Sequence, residues 1–169
     1  MKTQTQTETK IQSYKKLGFT HLETAEIVVV LNKLMANYTV HYHKLRRFHW
    51  NVEGPNFFEL HQQFEKEYQD VNETIDIIAE RIRVFGVKSN YTLRQFLELS
   101  EIVEEDKDLT SLQMVNEVLS DFNIIHENLL EATSYATKSG DIGTEEILMD
   151  LTRNLEKRHW MFTVWTKNN

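Results

Sequence analysis

The chain has 169 residues, of which 40% are hydrophobic and 27% charged, and its formal net charge is −7. It is long enough for one domain with a substantial core, and its acidic balance disfavours a body that binds nucleic acid through a positive field. The lack of cysteine excludes disulfides and thiolate sites, so a metal would have to be held by His, Asp and Glu, which favours iron, manganese or zinc.

One proline and five glycines are too few for the many turns of a sandwich or barrel, so the composition favours an all-α fold. No apolar run approaches the roughly 18 residues of a membrane-spanning helix, and the polar start MKTQTQTETK does not resemble a secretory signal. We therefore expect a cytoplasmic protein. Residues 1–18, with four lysines and one glutamate, are predicted to form a flexible arm before a single domain at 19–169.

The first predicted helix covers about residues 21–51 and begins at a capping box formed by Thr20 and Glu23. Its apolar stripe advances in alternating steps of three and four, through Val28, Leu31, Met35, Tyr38, Tyr42 and Leu45. The next position in this series is His49. The last core position of the helix is therefore predicted to hold an imidazole.

The second predicted helix follows the turn at Gly54 and Pro55, is capped by Asn56 with Glu59, and ends near Gly86. Its apolar stripe consists of Leu60, Phe64, Tyr68, Val71, Ile75, Ile78 and Ile82. A helix of this length packs antiparallel to the first one when the connection is short.

Three further helices are predicted from their capping residues and periodicity. Thr92 opens a short helix, TLRQFLELS, in the long connection, and Thr110 opens the third long helix. The fourth long helix follows the turn marked by Gly140 and Gly143. Together these elements predict a four-helix bundle with a short extra helix between its second and third long helices.

His49 and His61 lie six residues on either side of Pro55. In an antiparallel hairpin centred on that turn, the two histidines lie at the same height, where their imidazole nitrogens can bind one metal ion. The alternative is that one is a core histidine and the other a surface residue.

Carboxylates on the second helix extend this pattern. Glu65 is one turn from His61, and Asp76 and Glu80 share a face further along the helix. Asp76 lies about 22 Å from His61 along one straight helix, too far for a single metal centre. Two chains related by a two-fold axis would bring Asp76 and Glu80 opposite the histidines of the partner. The alternative is that Arg81 or Arg83 pairs with these carboxylates.

A ferritin-type centre within one chain would need two Glu-x-x-His pairs. The chain contains one, Glu156 with His159. An intrachain centre of that kind is therefore disfavoured.

The segment HWNVEGPNFFELHQQFEKEY, followed by DIIAERI and the closing EKRHWMF, resembles the Dps family, the miniature ferritins of starved bacterial cells. The resemblance covers about residues 20–165. It implies a ferritin-like four-helix bundle, a ferroxidase site between two-fold-related subunits and a hollow dodecamer that stores ferric mineral. The implied iron ligands are His49, His61, Asp76 and Glu80, together with Glu65 at a position where Asp is more usual.

The implied substrates are Fe(II) with hydrogen peroxide, or dioxygen in its place. Two irons at one site would deliver two electrons to peroxide together, which avoids the one-electron reduction that releases hydroxyl radical. Trp50 could act as a sink for stray oxidising equivalents, or it could simply pack in an interface.

By the same resemblance, an acidic pore for iron entry falls on Asp141, Glu146 and Asp150; the alternative is a solvated charged face. Some family members bind DNA through a lysine-rich arm, which would associate the protein with the nucleoid. Here we favour a solvated tail for residues 1–18 and an acidic body that does not bind DNA.

Overall fold

The computed structural model describes residues 21–89 and 92–167, with side chains from residue 24 onward. These ranges contain helices and no strand, which confirms the all-α prediction. The elements are α1 (His21–Asn51), α2 (Phe57–Val84), α3 (Leu93–Leu99), α4 (Ser111–Ser139) and α5 (Ile142–Thr166). The predicted arm at 1–18 and the cap at Thr20 lie outside the described residues.

The four long helices form the predicted bundle, and the short α3 lies against α1. Helix α1 packs against both α2 and α4, and α4 packs against α5. Among the described helices, none is both long enough and apolar enough to cross a membrane.

The residues that begin and end the helices explain their bounds. Thr92 and Thr110 each form a complete capping box with the glutamine three positions later, as predicted. Asn56 is the N-cap residue of α2, but its side chain makes no capping hydrogen bond, so that part of the prediction is wrong. Gly140 ends α4 with a φ of 68°, a left-handed conformation that costs glycine little.

One phenylalanine from each long helix contributes to an aromatic cluster in the core. Phe48 and Phe64 lie with ring centroids 5.9 Å apart, and Phe162 lies 6.4 Å from Phe64 and 5.8 Å from Phe122. All four are buried. Burying such a side chain stabilises the fold by roughly 1.5–3 kcal/mol, so this cluster ties all four helices to one another.

A buried carboxylate joins α1 to α4. Asp121 accepts hydrogen bonds from His41 Nδ1 and from Lys44 Nζ, both at 2.8 Å, and Lys44 also lies 3.0 Å from Glu117. Burial alone would lower the pKa of Lys44, but the charges and hydrogen bonds of Asp121 and Glu117 outweigh it and raise the pKa. The resulting stabilisation is complete below the ordinary lysine pKa and is lost only as the pH rises through the raised value.

Replacing Lys44 with Met should destabilise the bundle by about 3–5 kcal/mol, because the Asp121 carboxylate stays buried without its cation. Lys44→Met combined with Asp121→Asn should recover part of this loss. The measurement is the free energy of unfolding in urea at one fixed protein concentration. Lys66→Met, at an exposed position of α2, is the control and should change stability by about 0.5 kcal/mol or less. Equal losses for the Lys44 and Lys66 variants would contradict the structural role of the buried pair.

Candidate metal centre

A short, tight turn connects α1 to α2 and brings the end of one helix beside the start of the other. Gly54 has a φ of 99°, a conformation that L side chains rarely adopt. The amide of Phe57 donates to the Gly54 carbonyl at 3.1 Å, and the amide of Val52 donates to the Phe48 carbonyl at 2.9 Å. The two helices therefore leave the turn antiparallel, with a register set by the turn itself.

This turn brings the imidazoles of His49 and His61 into direct contact. Their ring centroids lie 3.9 Å apart, and the ring planes are within 23° of parallel. Each Nδ1 lies 2.8 Å from the backbone carbonyl oxygen of the other histidine. Two equivalent hydrogen bonds thus cross the turn in opposite directions.

These hydrogen bonds determine which nitrogen of each ring can bind a metal. A carbonyl oxygen only accepts, so Nδ1 of His49 and of His61 must each carry a hydrogen. In the neutral rings, each Nε2 then keeps its lone pair and can act as a ligand. A backbone carbonyl that fixes the tautomer and orientation of an imidazole is the usual support for a metal-binding histidine.

The surroundings of the histidine pair hold it in one orientation. His49 is buried and His61 is half-buried. Phe57 stacks on His61 with 5.1 Å between centroids, and Tyr68 meets His49 edge-on at 5.4 Å. The two rings therefore have little freedom to turn.

Glu65 adds a carboxylate beside the histidines. It is half-buried, one helical turn from His61, and its Oε1 accepts a hydrogen bond of 3.4 Å from the Tyr68 hydroxyl. Tyr68 therefore contacts two of the predicted ligands, His49 and Glu65, although the sequence predicted only a core position for it. The spacing in the sequence could have indicated these contacts. Tyr68 follows His61 by seven residues and Glu65 by three, which places the three side chains on the same face of α2.

Asp76 and Glu80 lie on the same helix but far from this group. Both are exposed, and α2 runs unbroken between His61 and Asp76, which separates them by about 22 Å. In the described ranges, neither carboxylate has an ion pair or a side-chain hydrogen bond. Arg81 pairs with Asp141 and Arg83 donates to a backbone carbonyl, so these arginines do not neutralise Asp76 or Glu80.

The predicted ligands fall into two separate groups in the described chain. Within residues 24–89 and 92–167, no group of three or more His, Asp or Glu side chains is placed to hold a metal ion. His61 and Glu65 lie near the start of α2, beside His49 at the end of α1, whereas Asp76 and Glu80 lie further along α2. Within one chain, α2 keeps the two groups about 22 Å apart.

Carboxylates inside the bundle are paired with basic side chains. Glu67 is buried and its Oε2 lies 3.3 Å from Arg158, just as Asp121 is paired with Lys44. Burial raises the pKa of Glu67, although the Arg158 charge opposes the shift. The remaining Glu-x-x-His motif lies partly exposed, with Glu156 3.4 Å from His126. The interior carboxylates are therefore already neutralised by basic side chains.

Trp50 is 62% exposed, beside the histidine pair in sequence. The guanidinium of Arg46 lies 4.7 Å from its ring centroid and 5.4 Å from that of Tyr42. The indole is thus held by a cation–π contact on the outer surface of α1.

The structure separates the three residues predicted to line a pore. Asp141 is only 1% exposed; it caps α5 through the Thr144 amide and pairs with Arg81. Glu146 and Asp150 are exposed on α5, and Asp150 pairs with Arg153 at 2.8 Å. The Asp141 carboxylate is buried and paired with Arg81. Of the three predicted pore residues, Glu146 and Asp150 are therefore the two that face solvent.

Arg81 should be important for stability although it contacts none of the predicted ligands. Replacing it with Met leaves the buried Asp141 carboxylate without its cation, and we expect a loss of about 3–5 kcal/mol in the free energy of unfolding. Arg83→Met is the matched control, because Arg83 is exposed two residues away and donates to the Val87 carbonyl. It should cost about 0.5 kcal/mol or less. Similar urea midpoints for the two variants would show that the Arg81 pair does not hold α2 to α5.

Comparison with known proteins shows similarity over most of the chain. The family model of the ferritin-like domain matches residues 29–168. DNA protection during starvation protein 2 of Bacillus anthracis is 38% identical over 136 residues, which are 80% of this chain and 93% of that protein.

Solved structures show the same similarity in three dimensions. The crystal structure of a Dps protein from Vibrio cholerae O1, described as a member of a broad superfamily of ferritin-like diiron-carboxylate proteins, matches with a TM-score of 0.85 at 31% identity. It covers 88% of this chain and 93% of that one. Dps from Staphylococcus aureus matches with a TM-score of 0.81 at 38% identity, over 84% and 95% of the two chains.

Proposed function

The chain belongs to the Dps family of ferritin-like proteins, and we propose that it oxidises Fe(II) at sites shared between two subunits and stores the ferric product. Membership of the family supports a general role in iron storage and protection against oxidative stress. The specific reaction is supported by one observation above all: the hydrogen bonds that leave Nε2 of both His49 and His61 available as ligands.

The shared site follows from the distribution of ligands along α2. His49, His61 and Glu65 come from one subunit, and Asp76 and Glu80 come from its two-fold mate. Antiparallel packing of two α2 helices brings the two groups level, and a two-fold axis generates two identical sites at once. The exposed, unpaired state of Asp76 and Glu80 in the described chain supports this arrangement, because no internal cation competes for them.

The ligand types suit Fe(II) as a substrate. Imidazole and carboxylate bind Fe(II), and carboxylates favour the more highly charged Fe(III) as it forms. Two ferrous ions and one hydrogen peroxide, with two protons, yield two ferric ions and two water molecules. Both electrons reach the peroxide in one event, so no hydroxyl radical is released. Dioxygen is the slower alternative oxidant in this proposal.

Storage requires a closed assembly and a route for iron. We propose a dodecameric cage whose pores are lined by carboxylates that concentrate cations. Glu146 and Asp150 are the candidates for the lining because both are exposed on α5. Asp141 adds to the pore indirectly, by capping the helix that carries them.

A mixing experiment tests whether the site is shared between subunits. His49→Ala/His61→Ala subunits and Asp76→Ala/Glu80→Ala subunits should each lose peroxide-dependent Fe(II) oxidation. When the two are co-expressed, one of the two sites in each mixed pair has all its ligands. Random pairing should therefore restore about a quarter of the parent's sites, measured as the initial rate of Fe(III) formation.

A control variant and a contradicting result complete this test. His43→Ala/Glu73→Ala replaces exposed residues of the same two helices and should keep the parent rate. If mixed assemblies are shown to contain both subunits and still recover no activity, that result would contradict a shared site. Parent-like rates in both double variants would remove these residues from the site altogether.

DNA binding is a second candidate function, favoured by one observation: residues 1–18 carry four lysines and one glutamate. Twelve such arms on one cage would bind DNA together even if each contacted few phosphates. In a gel shift, we expect any DNA complex to weaken steeply with salt and to vanish when residues 1–18 are deleted. A complex that persists at near-physiological salt without those residues would contradict the prediction that the acidic body itself does not bind DNA.

A further inference from the structure

Glu65 differs from the two histidines beside it in how its side chain is held. The imidazoles of His49 and His61 are each oriented by a hydrogen bond from Nδ1 to a backbone carbonyl. Glu65 has three side-chain torsions, and in the described ranges its carboxylate has no ion pair. A ligand that is ordered only when an ion binds loses affinity, because its rotamer entropy is given up in the binding step.

The hydroxyl of Tyr68 is the group that contacts the Glu65 carboxylate. Tyr68 lies one turn further along α2, and its hydroxyl lies 3.4 Å from Glu65 Oε1. A carboxylate only accepts hydrogen bonds, so the phenol is the donor. This hydrogen bond occupies one oxygen of the carboxylate. Among the contacts that the structure describes, Oε2 makes none, and it is the oxygen left to bind an ion.

Two aromatic neighbours fix the position of the Tyr68 hydroxyl. The Tyr68 ring meets the His49 ring edge-on at 5.4 Å, and it meets the Tyr42 ring edge-on at 5.9 Å with an interplanar angle of 84°. Both tyrosines are half-buried. Because His49 is itself oriented by the turn, Tyr68 has a defined place beside one predicted ligand and holds another through its hydroxyl.

We propose that Tyr68 is a positioning residue of the candidate site: its hydroxyl holds Glu65 Oε1 so that Oε2 is ready to bind the ferrous ion taken up by His49 and His61. Tyr68 acts through Glu65 and is not itself a ligand. The carboxylate is ordered before the ion arrives, so less rotamer entropy is lost on binding. This inference rests on the proposed ferroxidase function and concerns how tightly the site takes up Fe(II).

Loss of the hydroxyl should weaken binding of the ion without slowing its oxidation. In Tyr68→Phe the ring stays beside His49, and the Glu65 carboxylate is released. Fe(II) should then bind about three to ten times more weakly, the fold-change that corresponds to one hydrogen bond. The KM for Fe(II) should rise by a similar factor and kcat should keep the parent value, because the ligands present at saturation are unchanged.

Calorimetric titration with Co(II) in the absence of oxidant measures this binding separately from the reaction. The assembled protein is used, and each variant is first shown to have the parent's assembly size. Tyr68→Phe should bind Co(II) about three to ten times more weakly than the parent. Tyr135→Phe is the matched control, because Tyr135 lies on α4 and its ring contacts Lys138. It should bind Co(II) with the parent affinity.

A second substitution shows whether Tyr68 acts through Glu65. Glu65→Ala removes the carboxylate and should weaken Co(II) binding by itself. Adding Tyr68→Phe to Glu65→Ala should cause no further loss, because no carboxylate remains for the hydroxyl to hold. An effect of the missing hydroxyl on the His49 ring would instead weaken binding equally with and without Glu65. That result, or parent affinity in Tyr68→Phe, overturns the positioning role.

Kinetics of Fe(II) oxidation with peroxide distinguish this failure from failure of the ferroxidase. A fall in kcat at unchanged KM in Tyr68→Phe would also overturn the positioning role. If the parent oxidises Fe(II) and Tyr68→Phe matches it in both KM and Co(II) affinity, the positioning role is lost and the ferroxidase stands. If the parent does not oxidise Fe(II), the proposed function is lost, whereas a Co(II) affinity that depends on Tyr68 only when Glu65 is present still supports the positioning role.

Discussion

The reciprocal hydrogen bonds between His49 and His61 are the constraint on which the candidate site depends. Each imidazole uses Nδ1 to satisfy the carbonyl of the other residue, near the end of α1 and the start of α2. Those carbonyl contacts fix the relative height of the two helices as well as the tautomers of the two rings. One pair of bonds therefore supports both the fold and the proposed chemistry, and a substitution that disturbed the turn would alter both together.

Charge pairing separates the structural carboxylates from those that the proposed reaction needs. Buried carboxylates in the described ranges have basic partners: Asp121 has Lys44, Glu67 has Arg158 and Asp141 has Arg81. The surface carboxylates Asp76 and Glu80 have none in the described chain. Arg81 shows how this is achieved, because it is adjacent to Glu80 in sequence and yet points to the start of α5. Pairing Arg81 with Asp141 stabilises the α2–α5 contact and leaves Glu80 unneutralised.

Periodicity and capping were sufficient to predict most of the fold. The bounds of α1, the boxes at Thr92 and Thr110, and the turn between the histidines all follow from local rules that tertiary contacts did not override. Spacing on a helix predicts height and face, so it could place His49 beside His61. It could not predict which partner a side chain chooses. Burial of Asp141 depends on an arginine 60 positions earlier, and the Tyr68 contact with His49 depends on how two helices cross.

The distribution of the predicted ligands bears on what each subunit would contribute to the proposed site. His49 and His61 lie beside the turn between α1 and α2, and their hydrogen bonds across that turn orient both imidazoles within one chain. Asp76 and Glu80 lie further along α2 and face solvent, about 22 Å from His61. If the proposed site is shared, the imidazoles are therefore oriented before a second subunit arrives, whereas the carboxylates reach them only when two α2 helices pack together.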